Sequence, residues 1–331
     1  MNEVFRNEIS RRHLLRAGLA LPAVLALPCF ALAQDYPSKP VKMIVPYPAG
    51  GSTDILPRIM QDWLTTRWKQ PIVVENKPGA AGNIGVEAAY IAQPDGYTVL
   101  ITAPSPMTVN QSLYPKLNFV PSEFVPISIL ATIPTALIVS NRVPANNFKD
   151  FIAYAKANPG KLTAATQGSG TTSHLTLEWF QMVTETRFLA VPYRGSGPAL
   201  TDMMGGSVDM MFDNLGTSLQ LVKNGQLKML AVATDKRMPD LPDMPTMAET
   251  LPNFVSSTWV GGFLPPKSPQ EIADKLNADF NEAIKQADIV KRFRDNGCEP
   301  LGTTPKQTSD FVNAEREKWS KVIKTAGIKL N

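Results

Sequence analysis

The sequence predicts an α/β protein with two domains of similar size, each built around a sheet. Two stretches carry this prediction, residues 41–58 and 161–180, because each reads as a buried strand, a glycine turn and a helix start. Strand-like and helix-like runs alternate around them, which indicates parallel sheets with helices on both faces. The chain has 331 residues, of which 44% are hydrophobic and 19% charged, so it can build two cores.

The first stretch ends in a turn that suits an anion. Apolar residues 41–45 form a strand that two prolines end, since proline cannot donate to a sheet ladder. Gly50 and Gly51 permit a tight turn, and residues 52–54 are of types that begin helices. Such a turn directs free backbone N–H groups and the positive end of a helix dipole at one point. On the glycines alone, a simple strand-to-helix connection remains the alternative.

The rest of the first domain alternates in the same way. Its predicted elements are a helix at 55–68, a strand at 71–75, a helix at 84–92 and a strand at 97–102. A glycine-rich turn at 76–83 and a Pro-Asp-Gly turn at 94–96 separate them. Ser105 follows the carboxyl end of the last strand, the edge where open α/β sheets bind ligands. The Ser105 side chain either faces that crevice or has a purely structural role.

A second domain follows a long apolar strand at residues 124–140, which leaves the first domain. Its predicted elements are a helix at 148–157, a strand at 161–166, a helix from 175, strands at 188–193 and 207–212, a helix at 215–223 and a strand at 227–233. The glycine turn at 167–171 is a second site suited to an anion, because Gly168 and Gly170 permit a turn and Thr171 can cap the helix.

The chain then returns and ends in two amphipathic helices. A strand at 257–263 is a return crossing, and the helices at 269–294 and 305–326 pack on one domain or bridge both. We assign domain 1 to residues 34–135 with part of 236–331, and domain 2 to residues 136–235.

The first 33 residues predict an export signal. Arg11 and Arg12 precede an apolar stretch at 17–32, and the small-residue pattern before residue 34 predicts cleavage after Ala33. The arginine pair is typical of export of folded protein, and an ordinary secretory signal is the alternative. The apolar run is short, which disfavours a retained membrane anchor. We therefore expect the protein in the periplasm.

Removal of this signal leaves few groups for metal or redox chemistry. It takes His13 and Cys29, so His174 and Cys298 become the only histidine and cysteine. This count excludes an internal disulfide and a zinc site built on clustered His or Cys, and we predict no metal or cofactor. Four arginines and two glutamates are also lost, which lowers the net charge from +4 to +2. The chain has no basic block, so we predict no nucleic-acid partner.

An enzyme is the weaker hypothesis. Ser169 or Ser173, together with His174 and Asp213, superficially supply a hydrolytic triad. The G-x-S-x-G elbow is missing, and Ser173 and His174 are adjacent at a helix start, so they point in different directions. The glycine turns match neither the Walker nor the dinucleotide pattern. We therefore predict no enzyme, and we expect His174 to be a packed or capping residue.

Together the two turns predict a carboxylate site. A carboxylate accepts several hydrogen bonds, and each charge-assisted bond contributes about 1.5–3 kcal/mol. Neither turn contains lysine or arginine, so recognition rests on fixed dipoles. Arg194 is either a counter-charge or a solvated loop residue, and Asp213 either accepts from a ligand or caps the next helix. The predicted ligand-binding residues are Tyr47, Ala49, Gly50, Gly51, Ser52, Thr53, Ser105, Gln167, Gly168, Ser169, Gly170, Thr171, Tyr193 and Asp213.

Six segments make the resemblance to one family specific. In chain order they read Y-P-S-K-P-V-K-M-I-V-P-Y-P-A-G-G-S-T-D, V-E-N-K-P-G-A-A-G-N-I-G, P-D-G-Y-T-V-L, G-S-G-T-T-S-H-L, V-P-Y-R-G-S-G-P-A-L and D-M-M-F-D-N. From about residue 36 onward the chain resembles the Bug family, the extracytoplasmic, TctC-like solute receptors of tripartite tricarboxylate transporters. Pro57, Gln167 and the Thr171-Thr172 pair depart from the usual pattern, so the family's usual substrates do not transfer.

The resemblance implies a fold, a function and partners. The fold is a two-domain periplasmic-binding-protein-like fold of type II, which closes on a hinge like a Venus flytrap over a small organic acid. The implied partners are a carboxylate ligand and the membrane permease subunits of the transporter, and we expect a monomer. A sensory receptor for the same ligand class is the alternative, and a hydrolase acting on a carboxylate substrate is a weaker one.

Overall fold

The structure, a computed structural model, describes residues 36–329. The predicted export signal, its Arg11-Arg12 pair and the predicted cleavage after Ala33 lie outside these residues. From Pro37 onward, the described residues form one compact unit. Within the described range, no helix combines the length and apolar character needed to cross a membrane.

Ten strands form a single sheet in the described part of the chain. They are β1 (Val41–Val45), β2 (Ile72–Asn76), β3 (Thr98–Thr102), β4 (Val125–Val139), β5 (Thr163–Thr166), β6 (Leu189–Pro192), β7 (Met210–Asn214), β8 (Lys228–Val232), β9 (Ser257–Leu264) and β10 (Glu299–Pro300). Their order is β2-β1-β3-β9-β4-β7-β5-β6, and β8 and β10 both pair with β4. The short β10 was not predicted.

Strand β4 joins the two halves of the molecule. Up to Pro134 it pairs with β9, and from Thr135 onward it pairs with β7 and β8. We call β1, β2, β3, β9, β10 and the part of β4 before Thr135 the first lobe, and β5 to β8 with the rest of β4 the second lobe. Nearly all of β4 is buried, which explains its long apolar run without alternation. The domain limits at residues 135 and 236 remain predictions.

The sheet is parallel only in part, which corrects the prediction of parallel sheets. β1 is parallel to β2 and β3, and β5 is parallel to β6 and β7. In contrast, β9 is antiparallel to β3 and β4, and β4 is antiparallel to β7, β8 and β10. The strands that connect the lobes run against the others, which strand–helix alternation alone does not indicate. The parallel sets position the site, because their carboxyl ends share an edge.

Ten α-helices cover this sheet in the described chain. They are α1 (Ser52–Trp68), α2 (Asn83–Tyr90), α3 (Asn110–Leu113), α4 (Phe148–Ala157), α5 (Thr172–Thr184), α6 (Ser196–Met204), α7 (Leu215–Lys223), α8 (Gln270–Ala283), α9 (Ala287–Asp295) and α10 (Pro305–Ala326). The single helix predicted at 269–294 is wrong: it is divided into α8 and α9. Gln286 is extended at the N-cap of α9, and no glycine or proline marks this break in the sequence.

Helix α10 bridges the lobes, which was one of the two predicted alternatives. It packs on β4, on α5 and on a π-helical turn at Ser105–Val109 that follows β3. The shared apolar cluster is formed by Trp319, Val322 and Ile323 of α10, Val109 and Leu113 of the first lobe, and Leu175 of the second. This cluster holds the chain after β3 next to the helix that follows β5.

Candidate functional site

The carboxyl ends of strands from the two lobes face each other. β1 and β3 are parallel neighbours in the first lobe, and both end at one edge. Ser105, just beyond β3, donates its hydroxyl to the carbonyl of Gly170, just beyond β5, at 3.4 Å. A Cβ atom on Gly170 would lie 2.8 Å from Leu113 of the first lobe. The two predicted glycine turns therefore lie at facing edges.

The first cradle is the turn of residues 49–53 between β1 and α1. Gly50 has φ +89°, a left-handed conformation that glycine adopts readily. Gly51 is the N-cap of α1, and no side chain caps this helix. The N–H groups of residues 51–53 have no partner in the described chain, because the first turn of a helix has no earlier carbonyl to bond.

Asp54 fastens this cradle. Its carboxylate, only 2% exposed, accepts from the Gly50 amide, Arg58 and Asn76 at 2.9 Å each. Burial acts to raise the pKa of Asp54, but these hydrogen bonds outweigh it and hold the pKa below its ordinary value. The Gly50 amide was predicted to serve a ligand, and it is instead used inside the protein.

The second cradle is the turn of residues 167–171 between β5 and α5. Gly168 has φ +119° and Gly170 has φ +75°, so both need the freedom of glycine. Thr171 is the N-cap of α5: its hydroxyl donates to the Gly168 carbonyl at 2.8 Å and accepts from the His174 amide at 3.4 Å. This side-chain cap has no counterpart in the first cradle.

The His174 side chain stabilises the second cradle in the way that Asp54 stabilises the first. The Gly170 amide donates to Nδ1 of His174 at 3.1 Å, so the imidazole is neutral with its hydrogen assigned to Nε2. Burial lowers the pKa of His174, which favours this neutral form. The expectation of a capping histidine agrees with this contact. Like Gly50, Gly170 was predicted as a ligand donor and is used internally.

The free donors of the second cradle lie on either side of that bond. The amides of residues 168 and 169 have no partner in the described chain, and neither do those of residues 172 and 173 in the first turn of α5. The Thr171 amide makes only a long bond, 3.4 Å, to the Gly168 carbonyl. Each cradle therefore combines free amides with the positive end of a helix, an arrangement that favours an anion.

Ser173, His174 and Asp213, the groups of the candidate hydrolytic triad, form no hydrogen bonds with one another. The Ser173 hydroxyl donates to the Phe212 carbonyl at 2.6 Å, and the His174 ring accepts from Gly170. The Asp213 carboxylate is occupied by other side chains. Within residues 36–329, no cluster of three or more His, Cys, Asp or Glu residues is arranged to hold a metal ion.

Comparison with known proteins identifies the family. The family model described as "Tripartite tricarboxylate transporter family receptor" matches residues 56–328. The chain belongs to this family. Protein BugT of Bordetella pertussis is 36% identical over 317 residues, which cover 95% of this chain and 95% of that protein. The predicted resemblance to the Bug family is confirmed.

Solved structures of relatives share the fold. Rpa4515 of R. palustris, solved with adipate, is 34% identical with a TM-score of 0.81 and covers 89% of this chain and 100% of its own. MatC (Rpa3494) of Rhodopseudomonas palustris, with bound malate, is 30% identical with a TM-score of 0.75, covering 87% and 100%. The predicted two-domain periplasmic-binding-protein-like fold is therefore confirmed.

In this receptor, Asp213 supports the second cradle from behind. It has no exposed surface, and its carboxylate accepts from Gln167 at 2.8 Å, from Ser196 at 2.6 Å and from Thr217 at 2.6 Å. Burial raises the pKa of Asp213, and these bonds partly offset that effect. The enclosed carboxylate holds the Gln167 side chain, and a direct contact between Asp213 and a ligand stays a prediction.

The two predicted tyrosines are placed differently in the receptor. The Tyr47 hydroxyl is screened from solvent, has Thr102 as a polar neighbour and makes no hydrogen bond of normal geometry. Burial raises the pKa of Tyr47 well above its ordinary value. The Tyr193 hydroxyl instead donates to Asp202 at 2.7 Å. Arg194 is exposed beside the second cradle and forms no ion pair with the described residues.

Cys298 lies near Ser52 of the first cradle, and its thiol donates to the Asn296 carbonyl at 3.4 Å. Burial raises the pKa of the Cys298 thiol to about 12, and the nearby Ser52 hydroxyl partly offsets this. A ligand contact of Ser52 stays a prediction. A separate cavity of about 460 Å³ lies beside Cys298, lined by α7 and residues 294–299 and by no residue of either cradle.

The side chains that hold the two cradles in place were not predicted from the sequence. Asp54 and His174 each follow their glycine by four residues, the spacing that brings a helix side chain back to the preceding turn, and this spacing was a usable signal. Asn76 and Ser196 come from distant segments, and no local pattern marks them. Of the remaining predicted contacts, Ala49 and Ser169 are exposed and Thr53 is buried, and all of them stay predictions.

Proposed function

We propose that this receptor captures a small organic acid outside the cytoplasm and delivers it to the membrane permease of a tripartite tricarboxylate transporter. The observation that carries this proposal is the pair of helix N-termini with free amides at facing strand edges. A carboxylate oxygen accepts several hydrogen bonds, and donors fixed by the fold need no reorganisation when the ligand arrives. Neither cradle contains a lysine or arginine, so release does not require breaking a salt bridge with the cradle.

The ligand we favour has two carboxylates. One would meet the amides of residues 51–53 and the other those of residues 168–169, with the first turn of α5 behind them. Two solved relatives support this class, since one contains adipate and the other malate. Tyr47 adds a hydroxyl that is screened from solvent and has no hydrogen-bond partner among the described residues. Such a hydroxyl suits a hydroxyl group of the ligand or an ordered water between the ligand and the protein.

Capture in this proposal couples to closure of the lobes. A ligand that contacts both cradles binds the closed form better and shifts the protein toward it. The hinge would lie near Pro134 and Thr135, where β4 changes partners. We further propose that the receptor acts as a monomer in the periplasm after cleavage behind Ala33, and that it releases its ligand chemically unchanged.

A thermal-shift screen tests the proposed ligand class. Residues 34–331 would be heated with a panel of dicarboxylates, monocarboxylates and their neutral amides. A ligand at 100 times its dissociation constant stabilises the protein by about 2.7 kcal/mol, which raises the Tm by several degrees. Shifts with dicarboxylates and none with amides are expected. Equal shifts with acids and amides, or turnover of the acid, would contradict the proposal.

Gly51→Val tests the first cradle without disturbing the fold. Gly51 has φ −81°, and the nearest atom to an added Cβ is the Pro48 carbonyl oxygen at 4.0 Å. The larger side chain should crowd the free amides and weaken binding by about tenfold or more. Unchanged affinity by calorimetry, with an unchanged Tm, would remove the first cradle from the binding site.

A further inference from the structure

The contact between Gly170 and His174 makes the second cradle depend on one imidazole. The Gly170 amide lies 3.1 Å from Nδ1, and only a deprotonated Nδ1 can accept that hydrogen bond. Gly170 is buried and has φ +75°, and its carbonyl accepts from Ser105 of the first lobe. The residue whose amide His174 holds is thus the one whose carbonyl meets the opposite lobe.

We propose that His174 is a positioning residue of the second cradle: its neutral imidazole fixes the Gly170 turn for ligand capture, and protonation of the ring releases that turn and weakens binding. This inference rests on the proposed function, because it concerns capture of a carboxylate by the same cradle. It assigns no contact between His174 and the ligand. The effect of the ring passes through the backbone at Gly170.

Protonation would place two N–H groups opposite each other. A hydrogen on Nδ1 would point at the Gly170 amide, so the ring or the peptide must move. His174 also lies in the first turn of the 13-residue helix α5, where the helix dipole disfavours a positive charge. Its side chain is 16% exposed, which leaves little water to solvate the cation. The neutral ring is therefore the form that fits the turn.

The charged surroundings do not reverse this preference. Glu178 on α5 is the one carboxylate within 4 Å of the ring among the described residues, with 3.8 Å from its Oε1 to Nε2. Burial raises the pKa of Glu178, which weakens it as a counter-charge. On β7, Asp213 is enclosed by its own hydrogen bonds, and on α10 Glu315 and Lys318 pair with each other. The strand β5 brings no charged residue.

The sequence makes the test unusually clean. Beyond residue 33, His174 is the only histidine, so an imidazole titration in the exported protein belongs to it. His174→Asn keeps an acceptor oxygen near the position of Nδ1 but cannot titrate in this range. His174→Phe removes the acceptor at every pH. Glu178→Gln is a matched control on the same helix face, because it removes the nearby charge and leaves the bond to Gly170.

The first measurement follows the Gly170 amide by NMR in residues 34–331 without ligand, from about pH 8 to about pH 4.5. We expect its chemical shift to move together with titration of the His174 ring. His174→Asn should abolish this movement, and Glu178→Gln should retain it. A ring that titrates without moving the Gly170 amide would overturn the proposal, whatever ligand the protein binds.

The second measurement is the dissociation constant for adipate over the same pH range. The affinity of the wild type for adipate should fall roughly tenfold relative to that of His174→Asn as the ring becomes charged. The ratio of the two dissociation constants cancels the effect of protonation of adipate itself. His174→Phe should bind weakly at all pH values. A constant ratio, or tighter wild-type binding in acid, would overturn the proposal.

The two arms separate this inference from the proposed function. Absence of adipate binding at about pH 8 in the folded wild type would count against a dicarboxylate such as adipate, while the NMR arm still decides the role of His174. If His174→Phe does not fold, the wild type and His174→Asn provide the comparison on their own.

Discussion

Both cradles give a glycine amide to the side chain four residues further along, but the acceptor differs. In the first cradle the Gly50 amide donates to the Asp54 carboxylate at 2.9 Å, and in the second the Gly170 amide donates to the His174 imidazole at 3.1 Å. The Asp54 carboxylate also accepts hydrogen bonds from Arg58 and Asn76. The carboxylate beside the His174 ring, that of Glu178, lies 3.8 Å away. One turn is thus fixed by a charge and the other by a neutral ring.

This difference teaches how one receptor can combine a rigid and an adjustable half. A carboxylate whose pKa lies below its ordinary value stays charged across the physiological range. A buried imidazole gains a proton in mild acid, and its accepting nitrogen is then lost. The adjustable turn is also the one that contacts the opposite lobe through Ser105 and Leu113. We therefore expect loss of the His174 side chain to alter closure and loss of the Asp54 side chain to alter the fold.

The largest effect is expected from Asp54→Asn. The change removes the charge that holds the Gly50 amide and Arg58, so the free energy of unfolding should fall by about 1.5–3 kcal/mol and affinity by more than tenfold. His174→Asn is the matched change in the second cradle, and it should cost less than about 1 kcal/mol because an acceptor remains. Urea unfolding and calorimetry measure both. Equal losses of stability and affinity in the two variants would mean that Asp54 and His174 stabilise their cradles equally.

Gly170→Ala should weaken binding more than Gly50→Ala. Both residues have positive φ, at +75° and +89°, so an alanine is strained at either position. Only the Cβ at residue 170 meets another group, Leu113 at 2.8 Å, and the Cβ at residue 50 meets nothing within 4 Å. We expect an affinity loss about fivefold greater for Gly170→Ala, since the Leu113 side chain must shift and disturb the contact between the lobes.

Leu113→Ala in the Gly170→Ala background tests the cause of that difference. Removing the leucine should relieve the overlap and bring the affinity close to that of Gly50→Ala. Leu113→Ala alone serves as the reference, because it leaves a cavity in the cluster around α10. No recovery in the double variant would assign the loss to backbone strain at residue 170.

Acid should destabilise the two cradles in separate pH windows. His174 has a folded-state pKa below its unfolded value, so its contribution is present above about pH 6.5 and is lost as the pH falls through the folded-state pKa. Asp54 also has a lowered pKa, so its contribution is present above about pH 3.9 and is lost at a still lower pH. The measurement is the difference in unfolding free energy between the wild type and each variant as a function of pH. This difference should change in one pH range for His174→Asn and in a lower pH range for Asp54→Asn. A shared window would contradict the comparison.

Ser105→Ala should have the smallest effect. Its hydroxyl bond to the Gly170 carbonyl is long, at 3.4 Å, so removal should weaken ligand binding by only about twofold. The free energy of unfolding should stay within about 0.5 kcal/mol of the wild type, because each lobe keeps its own core. A loss of tenfold or more in calorimetry would show that this contact, rather than the two cradles, controls closure.

The fold was largely predictable because local signals and global packing agree. The strand, glycine and helix signals around residues 41–58 and 161–180 place β1, α1, β5 and α5 within a few residues of their observed bounds. Strand direction was not predictable, since β4 and β9 are set by the return of the chain rather than by their own residues. The break between α8 and α9 also lacks a glycine or proline signal.

The candidate site was predictable only in part, for a similar physical reason. Glycines with positive φ and helix-capping residues are local features, so the two turns could be found in the sequence. The use of the Gly50 and Gly170 amides inside the protein depends on side chains that return from the next helical turn. The enclosure of Asp213 depends on Thr217, four residues away, and on Gln167 and Ser196, which only the folded chain brings to it.

The most direct test of the central claim is a crystal structure of residues 34–331 with the dicarboxylate that gives the largest thermal shift. We predict one carboxylate within hydrogen-bond distance of the amides of residues 51–53, directly or through one water, and the other at the amides of residues 168–169. A ligand held by only one lobe, or bound in the cavity beside Cys298, would contradict the claim that the two cradles capture it together.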